Sequence, residues 1–236
     1  MPKKENIRTM FDSIAPDYDR LNHILSLDID KGWRKKAVKE ITGRDNCLNI
    51  LDVACGTGDF AIAIARAAAS GSRITGLDLS EGMMKIGREK VREAGLEGKI
   101  SMEQGDCEQM RFSDGTFDRV SVAFGVRNFE HLEKGLTEML RVLKPGGKAV
   151  ILELSVPANP VLRFFYKLYF LHILPAIGGK VSGDRAAYRY LPASVLKFPK
   201  PKEFARMMEN CGYGQVKTKA FTFGICRMYS GHKPEK

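Results

Sequence analysis

The amino-acid sequence predicts an α/β fold in which helices cover both faces of a doubly wound, mostly parallel sheet. Two observations predict this fold. An apolar strand at 49–53 is followed by a glycine loop at 54–58 and by a helix that begins at Asp59. From 73 to 154, strand and helix patterns then alternate, which implies right-handed crossovers between parallel strands.

Residues 1–45 precede the first predicted strand and carry apolar and aromatic residues at helical spacing. We predict that this segment forms an N-terminal helical lid over a ligand crevice in the domain at 46–236. Ordinary core packing of Phe11, Tyr18 and Trp33 is the alternative, and composition alone favours it.

The remaining elements follow from the periodicity of apolar residues and from the positions of glycine and proline. Strands are expected near 73–78, 100–105, 117–124, 148–154, 215–223 and 226–231. Helices are expected near 81–94, 131–143 and 201–211. Proline and two glycines at 144–147 are expected to separate a helix from the strand after it, and the last two strands are expected to form a hairpin.

Three aspartates lie near the predicted ends of successive strands: Asp52, Asp78 and Asp106. Ligands of such sheets bind outside the carboxyl ends of the strands, so these carboxylates are expected to surround one ligand. Cys107 follows Asp106, and its small apolar side chain suits the wall of an adenine pocket. A purely structural cysteine is equally consistent with that position.

Charge decides which ligand the glycine loop is expected to bind. From Gly56 onward the loop satisfies the G-x-G-x-x-G/A pattern of dinucleotide enzymes, whose pyrophosphate lies at the helix N-terminus. Here Asp52 and Asp59 flank that position, and no lysine or arginine occurs from 46 to 65. Carboxylates suit the sulfonium and ammonium of S-adenosylmethionine, so we assign Gly56 and Asp52 to a site for that cofactor. Asp78 is expected to bind its ribose hydroxyls, and a dinucleotide oxidoreductase is the weaker alternative.

The composition is that of an ordinary globular protein of 236 residues, 44% hydrophobic and 28% charged. No apolar segment follows the first residues, so no signal peptide is predicted. Five cysteines without a C-x-x-C pair indicate free thiols in a reducing cytoplasm. Four scattered histidines show no metal-ligand spacing, and no metal is predicted.

The formal net charge of +10 is concentrated in one segment. Between 160 and 202 there are eight lysines and arginines against one acid, Asp184. An insertion at 155–200 contains an apolar, aromatic run in which Arg163 and Lys167 are four apart and share a helical face. Such a helix suits a membrane interface or an apolar tunnel. A buried helix, a dimer contact and a solvated basic face are the alternatives.

Several stretches of the chain resemble known families. The stretch at 51–59 together with Asp78 resembles the class I S-adenosylmethionine-dependent methyltransferases. FDSIAPDYDRLN at 11–22, FGVRN at 124–128 and RVLKPGG at 141–147 are similar to the family that methylates the rings of respiratory quinols. This resemblance, from about residue 7 to the C-terminus, implies a Rossmann-like, seven-stranded sheet whose last strand is antiparallel. It also implies demethylmenaquinone methyltransferase activity or the benzoquinol C-methylation step of ubiquinone biosynthesis.

The resemblance also implies which residues contact the cofactor. They are Thr57 in the loop, Asp78 after the second strand, and Asp106 with Cys107 after the third. A further family position, often serine, is Ala123 here, so no hydroxyl contact is expected there. Many members have alanine at the position of Cys107, which makes that residue a mild departure.

The chemistry requires a reduced ring, because an oxidised quinone is too electron-poor to attack a sulfonium methyl group. Arg127, just after the fourth strand, is the candidate that stabilises the phenolate, since its guanidinium stays charged. The candidate proton relay is a water held by Arg127 and Asn128, or Tyr18 from the lid.

The predicted partners are a polyprenyl quinol and an anionic membrane surface, for a cytoplasmic protein associated peripherally with the inner membrane face. A homodimer is the alternative use of the apolar segment. An RNA methyltransferase is the rival that the charge suggests, although no RNA-binding module is recognisable and no nucleic-acid partner is predicted. A non-catalytic S-adenosylmethionine-binding protein is a further rival, and the intact FGVRN stretch argues against it.

Overall fold

A computed structural model describes residues 3–19, 26, 28–43, 47–173 and 185–235. The helices are α1 Lys4–Ile14, α2 Ile29–Thr42, α3 Asp59–Ala67, α4 Glu81–Glu93, α5 Leu132–Val142, α6 Pro160–Leu168, α7 Arg185–Lys197 and α8 Pro201–Asn210. The strands are β1 Asn49–Val53, β2 Arg73–Asp78, β3 Ile100–Gln104, β4 Phe117–Ala123, β5 Leu143–Leu154, β6 Gly214–Phe221 and β7 Cys226–His232. Single 3-10 turns occur at Ala15–Asp17, Val126–Asn128 and Thr222–Gly224, and a π-helical turn, Tyr169–Ile173, continues α6.

The seven strands form one sheet in the order β3-β2-β1-β4-β5-β7-β6. Each pair of adjacent strands in the part β3-β2-β1-β4-β5 is parallel. β7 is antiparallel to both of its neighbours, β5 and β6. The seven-stranded, mostly parallel sheet, its antiparallel last strand and the terminal hairpin are therefore confirmed.

Both faces of β1 are buried, because helices cover the sheet on each side. Leu51 and Val53 belong to a cluster that contains the inner faces of α5 and α8. Ile50, on the opposite face, packs in a second cluster with residues of α2 and α3, including Trp33 and Phe60. A continuous apolar strand in the sequence thus corresponds to a central strand between two helical layers.

The strand order reverses at β1 and β4, because the chain builds outward through β2 and β3 before it returns to β4. Ligands of doubly wound sheets bind at this switch point, outside the carboxyl ends of the strands. Asp52 lies within β1, Asp78 ends β2 and Asp106 follows β3, so the three predicted carboxylates lie on adjacent strands.

β5 begins earlier than predicted. Strand pairing already starts at Leu143, opposite Phe117, and then shifts in register before Lys148 continues the ladder. The expected break at 144–147 is therefore an irregularity inside the strand and not a loop before it. Gly146 has φ +73°, a left-handed conformation that favours glycine. The irregularity in the strand therefore requires the glycine that we interpret, from the sequence alone, as a helix stop.

The segment before β1 forms α1, a 3-10 turn and α2. Trp33, Val38 and Ile41 are buried on α2, as their helical spacing predicts. Parts of the predicted lid, at 1–2, 20–25, 27 and 44–45, lie outside the described residues.

The insertion contains α6, its π-helical continuation and α7, whereas 174–184 lie outside the described residues. α6 begins at Pro160 because the Asn159 side chain accepts hydrogen bonds from the N–H groups that follow the proline. One face of α6 stays in solvent, with Phe164 65% and Phe165 60% exposed. None of the described helices has the length and apolar character needed to cross a bilayer.

Candidate active site

Two neighbouring cavities open at the carboxyl ends of β1 and β4. The first, here called the loop cavity, lies between the glycine loop, the ends of β2 and β3, and α1. The second, the arginine cavity, lies between the Val126–Asn128 turn and the insertion and has a volume of about 300 Å³. Tyr18 and Phe124 line both cavities, so the two spaces meet at these two rings.

The glycine loop gives the loop cavity its open side. Gly56 has φ +55°, and a Cβ built on it would meet no other atom within 4 Å. Its backbone is therefore strained for other residues, and the space beside it is free for a ligand. The Gly56 N–H donates a 2.7 Å hydrogen bond to Oδ2 of Asp78, which fixes the loop against the end of β2.

Asp78 is held in one orientation. Its Oδ1 accepts a 2.9 Å hydrogen bond from the Ser80 N–H, while Oδ2 accepts the bond from Gly56. Burial raises the pKa of the Asp78 carboxyl, and the backbone N–H groups partly offset that effect. Each carboxylate oxygen has a second lone pair, so the group fits the vicinal hydroxyls of a ribose.

The charges around the loop cavity are mainly negative. Four carboxylates and one ammonium line it: Asp78, Asp106, Glu108, Glu130 and Lys4. The ammonium of Lys4 lies 2.6 Å from Asp106 Oδ2, so the one basic side chain that lines the cavity among the described residues is already paired. The side chains suit a cationic adenosyl ligand and offer little to a diphosphate.

Asp106 and Cys107 both line the loop cavity. Burial alone would raise the pKa of the Asp106 carboxyl, but hydrogen bonds from Lys4 and from the Glu108 N–H hold it below its usual value. Burial raises the pKa of the Cys107 thiol well above its ordinary value, so the thiol stays protonated and apolar. Both the ligand-wall and the structural interpretation of Cys107 are compatible with this environment.

Asp52 and Thr57 do not line the loop cavity. Asp52 is 1% exposed and accepts a 2.8 Å hydrogen bond from the Ser121 hydroxyl inside the sheet. Thr57 is 3% exposed, and its hydroxyl donates to Oδ1 of Asp19 at 2.5 Å. Their predicted contacts with the cofactor stay predictions, and in this structure both side chains are engaged elsewhere.

One cation lies near the glycine loop although it is distant from the loop in sequence. The ammonium of Lys90, on α4, lies 2.6 Å from Asp19 Oδ2 and also contacts the Asp59 carboxylate at the N-terminus of α3. Lys90 is 31 residues from Asp59, so inspection of the loop sequence alone could not find it. Lys90 does not line the loop cavity, and the acidic character of that cavity is unaffected.

Arg127 lines the arginine cavity and is 6% exposed. Its Nη1 lies 3.0 Å from Oε1 of Glu153, a fully buried carboxylate on β5, and it also contacts the Phe124 carbonyl oxygen. Burial would lower the pKa of the guanidinium, but the charge and hydrogen bond of Glu153, together with Tyr18 and Tyr190, outweigh burial and raise that pKa. A permanently charged guanidinium therefore lies in a largely apolar cavity.

Asn128 and Tyr18 lie near Arg127, where the loop cavity and the arginine cavity meet. Asn128 lines the loop cavity, and its Oδ1 accepts a 2.9 Å hydrogen bond from the Tyr190 hydroxyl. Tyr18 lines both cavities and packs edge-on against Phe11 at 5.9 Å between ring centroids. The structure thus brings Arg127, Asn128 and Tyr18 together around the junction of the two cavities.

Two features of this region were not predicted from the sequence: the buried Glu153 and the position of Phe124 between the two cavities. Glu153 is one acid in an otherwise apolar strand, which is a detectable signal because an acid in such a strand is almost never buried without a partner. Phe124 has φ +61°, and this strained backbone turns its ring toward both cavities. Among the described residues, no group of three or more His, Cys, Asp or Glu side chains could hold a metal ion.

Comparison of the sequence with known families gives a match over nearly the whole chain. Residues 1–233 match the ubiE/COQ5 methyltransferase family. A relative from Geobacter sulfurreducens, named ubiquinone/menaquinone biosynthesis C-methyltransferase UbiE, is 48% identical over 98% of this chain and 90% of its own length. A relative from Bacteroides fragilis, named demethylmenaquinone methyltransferase, is 46% identical over 98% of this chain and 94% of its own.

Solved structures share the fold at low sequence identity. The [4+2]-cyclase SpnF superimposes with a TM-score of 0.74 at 17% identity, over 100% of this chain and 98% of its own. Phosphoethanolamine N-methyltransferase 2 of Haemonchus contortus, solved with S-adenosyl-L-methionine, gives a TM-score of 0.65 at 14% identity, over 86% and 53% of the two chains. These likenesses confirm the Rossmann-like methyltransferase fold, and the cyclase shows that the fold alone does not fix the reaction.

Proposed function

Because the chain belongs to the ubiE/COQ5 methyltransferase family, we propose that it is an S-adenosylmethionine-dependent C-methyltransferase that converts demethylmenaquinol to menaquinol. The identity of 46–48% to the two relatives over 98% of the chain supports this reaction. The observation that carries the proposal is the meeting of an acidic cavity and an apolar, arginine-containing cavity at Tyr18 and Phe124.

The loop cavity is the proposed site of the methyl donor. Asp78 binds the ribose hydroxyls, Gly56 leaves room for the ligand, and Asp106 with Cys107 borders the adenine. Asp52, bonded to Ser121, and Thr57, bonded to Asp19, hold the two ends of the glycine loop in place. When bound, S-adenosylmethionine would supply an electrophilic methyl group: the methyl–sulfur bond breaks as the bond to the ring carbon forms, S-adenosylhomocysteine leaves, and that carbon loses one proton.

The arginine cavity is the proposed site of the quinol ring. The Arg127 guanidinium stabilises the phenolate oxygen, which raises the electron density at the adjacent ring carbon. A water held by Arg127 and Asn128, or the Tyr18 hydroxyl, accepts the hydroxyl proton as the phenolate forms. The proton that the methylated ring carbon then loses restores the hydroxyl. Apolar walls of the cavity, including Trp33, exclude bulk water and strengthen the interaction of Arg127 with the oxygen.

The reaction is tested with labelled S-adenosylmethionine and reduced demethylated naphthoquinol, followed by mass analysis of the extracted product. Incorporation of one methyl group on a ring carbon is expected. The benzoquinol precursor of ubiquinone is assayed in parallel, because the name of the Geobacter relative includes both pathways. Transfer to neither ring would contradict the proposal, and binding of the donor without turnover would favour a non-catalytic protein.

Arg127→Lys tests the role of the guanidinium. A fall in turnover of about 100-fold or more is expected, because lysine keeps the charge but loses the planar donors. Donor binding, measured by calorimetry, is expected to stay within about twofold, since Arg127 does not line the loop cavity. Equal losses in turnover and donor binding would make Arg127 a structural residue.

We also propose that the protein is cytoplasmic and docks on the inner membrane face through an exposed apolar patch on α6 and its continuation. The patch consists of Val161, Leu162, Phe164, Phe165, Leu168 and Leu171, which are 38–65% exposed. Arg163 and Lys167 lie on the same helix and suit anionic head groups. Tyr166 and Phe170, on the opposite side of this segment, line the arginine cavity. A polyprenyl tail that leaves the cavity would therefore meet the membrane beside α6.

Flotation with anionic liposomes at low salt tests this docking. The chain is expected to float, and Phe164→Glu with Phe165→Glu should abolish flotation without loss of turnover on a short-chain quinol. If the double variant floats as well as the unchanged chain, the patch is not the membrane contact. A concentration-dependent dimer that dissociates in the same variant would assign the patch to a homodimer instead.

A further inference from the structure

We infer that α7 positions the reaction residues, with Ser194 and Tyr190 as positioning residues for Arg127 and Asn128. The inference rests on the roles proposed above for Arg127 and Asn128. α7 belongs to the insertion and is separate in sequence from the Val126–Asn128 turn, yet two of its hydroxyls bond to consecutive residues of that turn.

Ser194 fixes the direction of the guanidinium. Its hydroxyl donates a 2.8 Å hydrogen bond to the Leu191 carbonyl oxygen, so its oxygen is left to accept from Arg127 Nε at 3.2 Å. Ser194 is 6% exposed, which keeps water from replacing either bond. The Ser194 oxygen therefore holds the Nε–H edge of Arg127 against α7.

The other two nitrogens of the guanidinium, Nη1 and Nη2, differ in their hydrogen bonding. Nη1 is taken by Glu153 Oε1 and by the Phe124 carbonyl oxygen. Nη2 has no hydrogen-bond partner within the part of the chain that the structure describes, and Arg127 lines the arginine cavity. Because Nε and Nη1 are both held, Nη2 is the donor left for a substrate oxygen.

Glu153 and Ser194 have different effects on Arg127. Glu153 neutralises the buried charge and also accepts a 3.2 Å hydrogen bond from the Arg127 N–H, so its removal would leave an unpaired buried charge. Ser194 carries no charge and makes one contact with the guanidinium. A change at Ser194 alters the orientation of the guanidinium while leaving its charge balanced.

Tyr190 gives α7 a second attachment to the same turn. Its hydroxyl donates to Asn128 Oδ1 at 2.9 Å, and it lies four residues before Ser194, on the same helical face. Two bonds from one face of α7 therefore hold two neighbouring residues, one at each cavity. The geometry at the junction consequently depends on the insertion that carries the apolar patch.

The test compares Ser194→Ala with Ser194→Thr and with Ser72→Ala. Ser72 is a matched control, because it is 2% exposed and accepts a 3.1 Å hydrogen bond from the Leu48 N–H far from both cavities. For Ser194→Ala we expect kcat to fall about tenfold, the equivalent of ~1.4 kcal/mol in the barrier. We expect donor affinity to be unchanged. Threonine keeps the hydroxyl and is expected to restore most of the rate.

The pH dependence of kcat separates positioning from general destabilisation. A guanidinium directed at the phenolate lowers the pKa of the bound quinol, so a misdirected guanidinium should move the acidic limb of the kcat profile about one unit higher. Ser72→Ala is expected to lower thermal stability without moving that limb. Tyr190→Phe, which removes one half-buried hydroxyl and keeps the ring, is the second variant and should also lower kcat at unchanged donor affinity.

The outcomes distinguish this inference from the proposed function. Ring methylation by the unchanged chain establishes the reaction independently of any variant. Unchanged kcat and an unmoved acidic limb in folded Ser194→Ala and Tyr190→Phe would overturn the positioning role. A rate loss in Ser194→Ala with an unmoved limb and no rescue by threonine would also overturn it, because it indicates a structural effect alone.

Discussion

At the scale of single residues, Asp52 has a buried carboxyl group of which only one oxygen is hydrogen-bonded among the described residues. Its Oδ1 accepts from Ser121, whereas Oδ2 has no partner among the residues described. Burial raises the pKa of the carboxyl to about 7, and the hydrogen bond from Ser121 only partly opposes this. In the unfolded chain the same group loses its proton near pH ~4. Its contribution to stability is therefore complete at low pH and is lost as pH rises through about 7.

Asp52→Asn tests this linkage. The free energy of unfolding of the unchanged chain should lose up to ~1.4 kcal/mol per pH unit from this group as pH rises from about 4 to about 7. The variant should lack that component and be more stable than the unchanged chain at pH ~8. Urea unfolding at a series of pH values measures both slopes.

Asp118 provides a control of opposite sign. Burial would raise the pKa of its carboxyl, but hydrogen bonds from Lys144 and the Asn49 N–H lower it below its usual value. Its stabilisation is therefore present above the unfolded pKa and lost as pH falls. Asp118→Asn should destabilise at neutral pH, and a similar stabilisation by both substitutions would contradict the assignment for Asp52.

Two buried tyrosines test how a hydrogen bond to a buried hydroxyl affects the free energy of unfolding. Tyr166 is 7% exposed and its hydroxyl has no hydrogen-bond partner in the described chain, whereas the Tyr213 hydroxyl donates to the Leu136 carbonyl oxygen at 2.9 Å. Tyr166→Phe should raise the free energy of unfolding by about 1 kcal/mol, because it removes an unsatisfied buried polar group. Tyr213→Phe should lower it by about 1 kcal/mol. Equal losses in urea unfolding would show that the Tyr166 hydroxyl is stabilising.

At the scale of elements, one face of α1 lines the loop cavity. Ile7 and Phe11 line it, and the Lys4 side chain reaches Asp106 on the far side. Lys4 N–H also donates a 3.0 Å hydrogen bond to Glu130. We therefore propose that α1 is part of the lid predicted for residues 1–45. Ile7 and Ile14 are buried on it, which is compatible with both a lid and ordinary core packing.

Ile7→Ser tests the lid. Donor dissociation should accelerate several-fold, because a buried apolar contact at the cavity is replaced by a smaller polar side chain. Asn6→Ser, on the exposed side of the same helix, should leave dissociation unchanged. Stopped-flow displacement of the donor product measures both rates, and identical rates in the two variants would exclude α1 as a lid.

At the scale of the whole molecule, ligand binding at the switch point should stabilise the sheet that builds it. A ligand at 100 times its dissociation constant adds ~2.7 kcal/mol to the free energy of unfolding. S-adenosylmethionine should raise the thermal midpoint of the unchanged chain, and NAD at the same concentration should not. Asp78→Asn should weaken the donor about tenfold or more and reduce the shift, because an amide offers fewer acceptor sites for the ribose hydroxyls. A larger shift with NAD would reverse the assignment of the loop cavity.

The sequence by itself determined the order of the elements and the edge of the sheet at which the loop cavity lies. Apolar periodicity and glycine positions are local properties of the chain, so β1, the glycine loop and the terminal hairpin follow from them. Parallel alternation then fixes the switch point, and with it the positions of Gly56, Asp78 and Asp106 around one cavity.

Only the tertiary structure decided which of the predicted residues line a cavity and what holds them. Asp52 is hydrogen-bonded inside the sheet and Thr57 is bonded to Asp19, although Asp52 lies just before the glycine loop in sequence and Thr57 lies within it. Arg127 is bonded to Glu153 and Ser194, which are 26 and 67 residues away from it in the chain. Hydrogen bonds and ion pairs depend on distance in space, and buried charge requires a partner wherever the chain can supply it. No local pattern in the sequence encodes that choice.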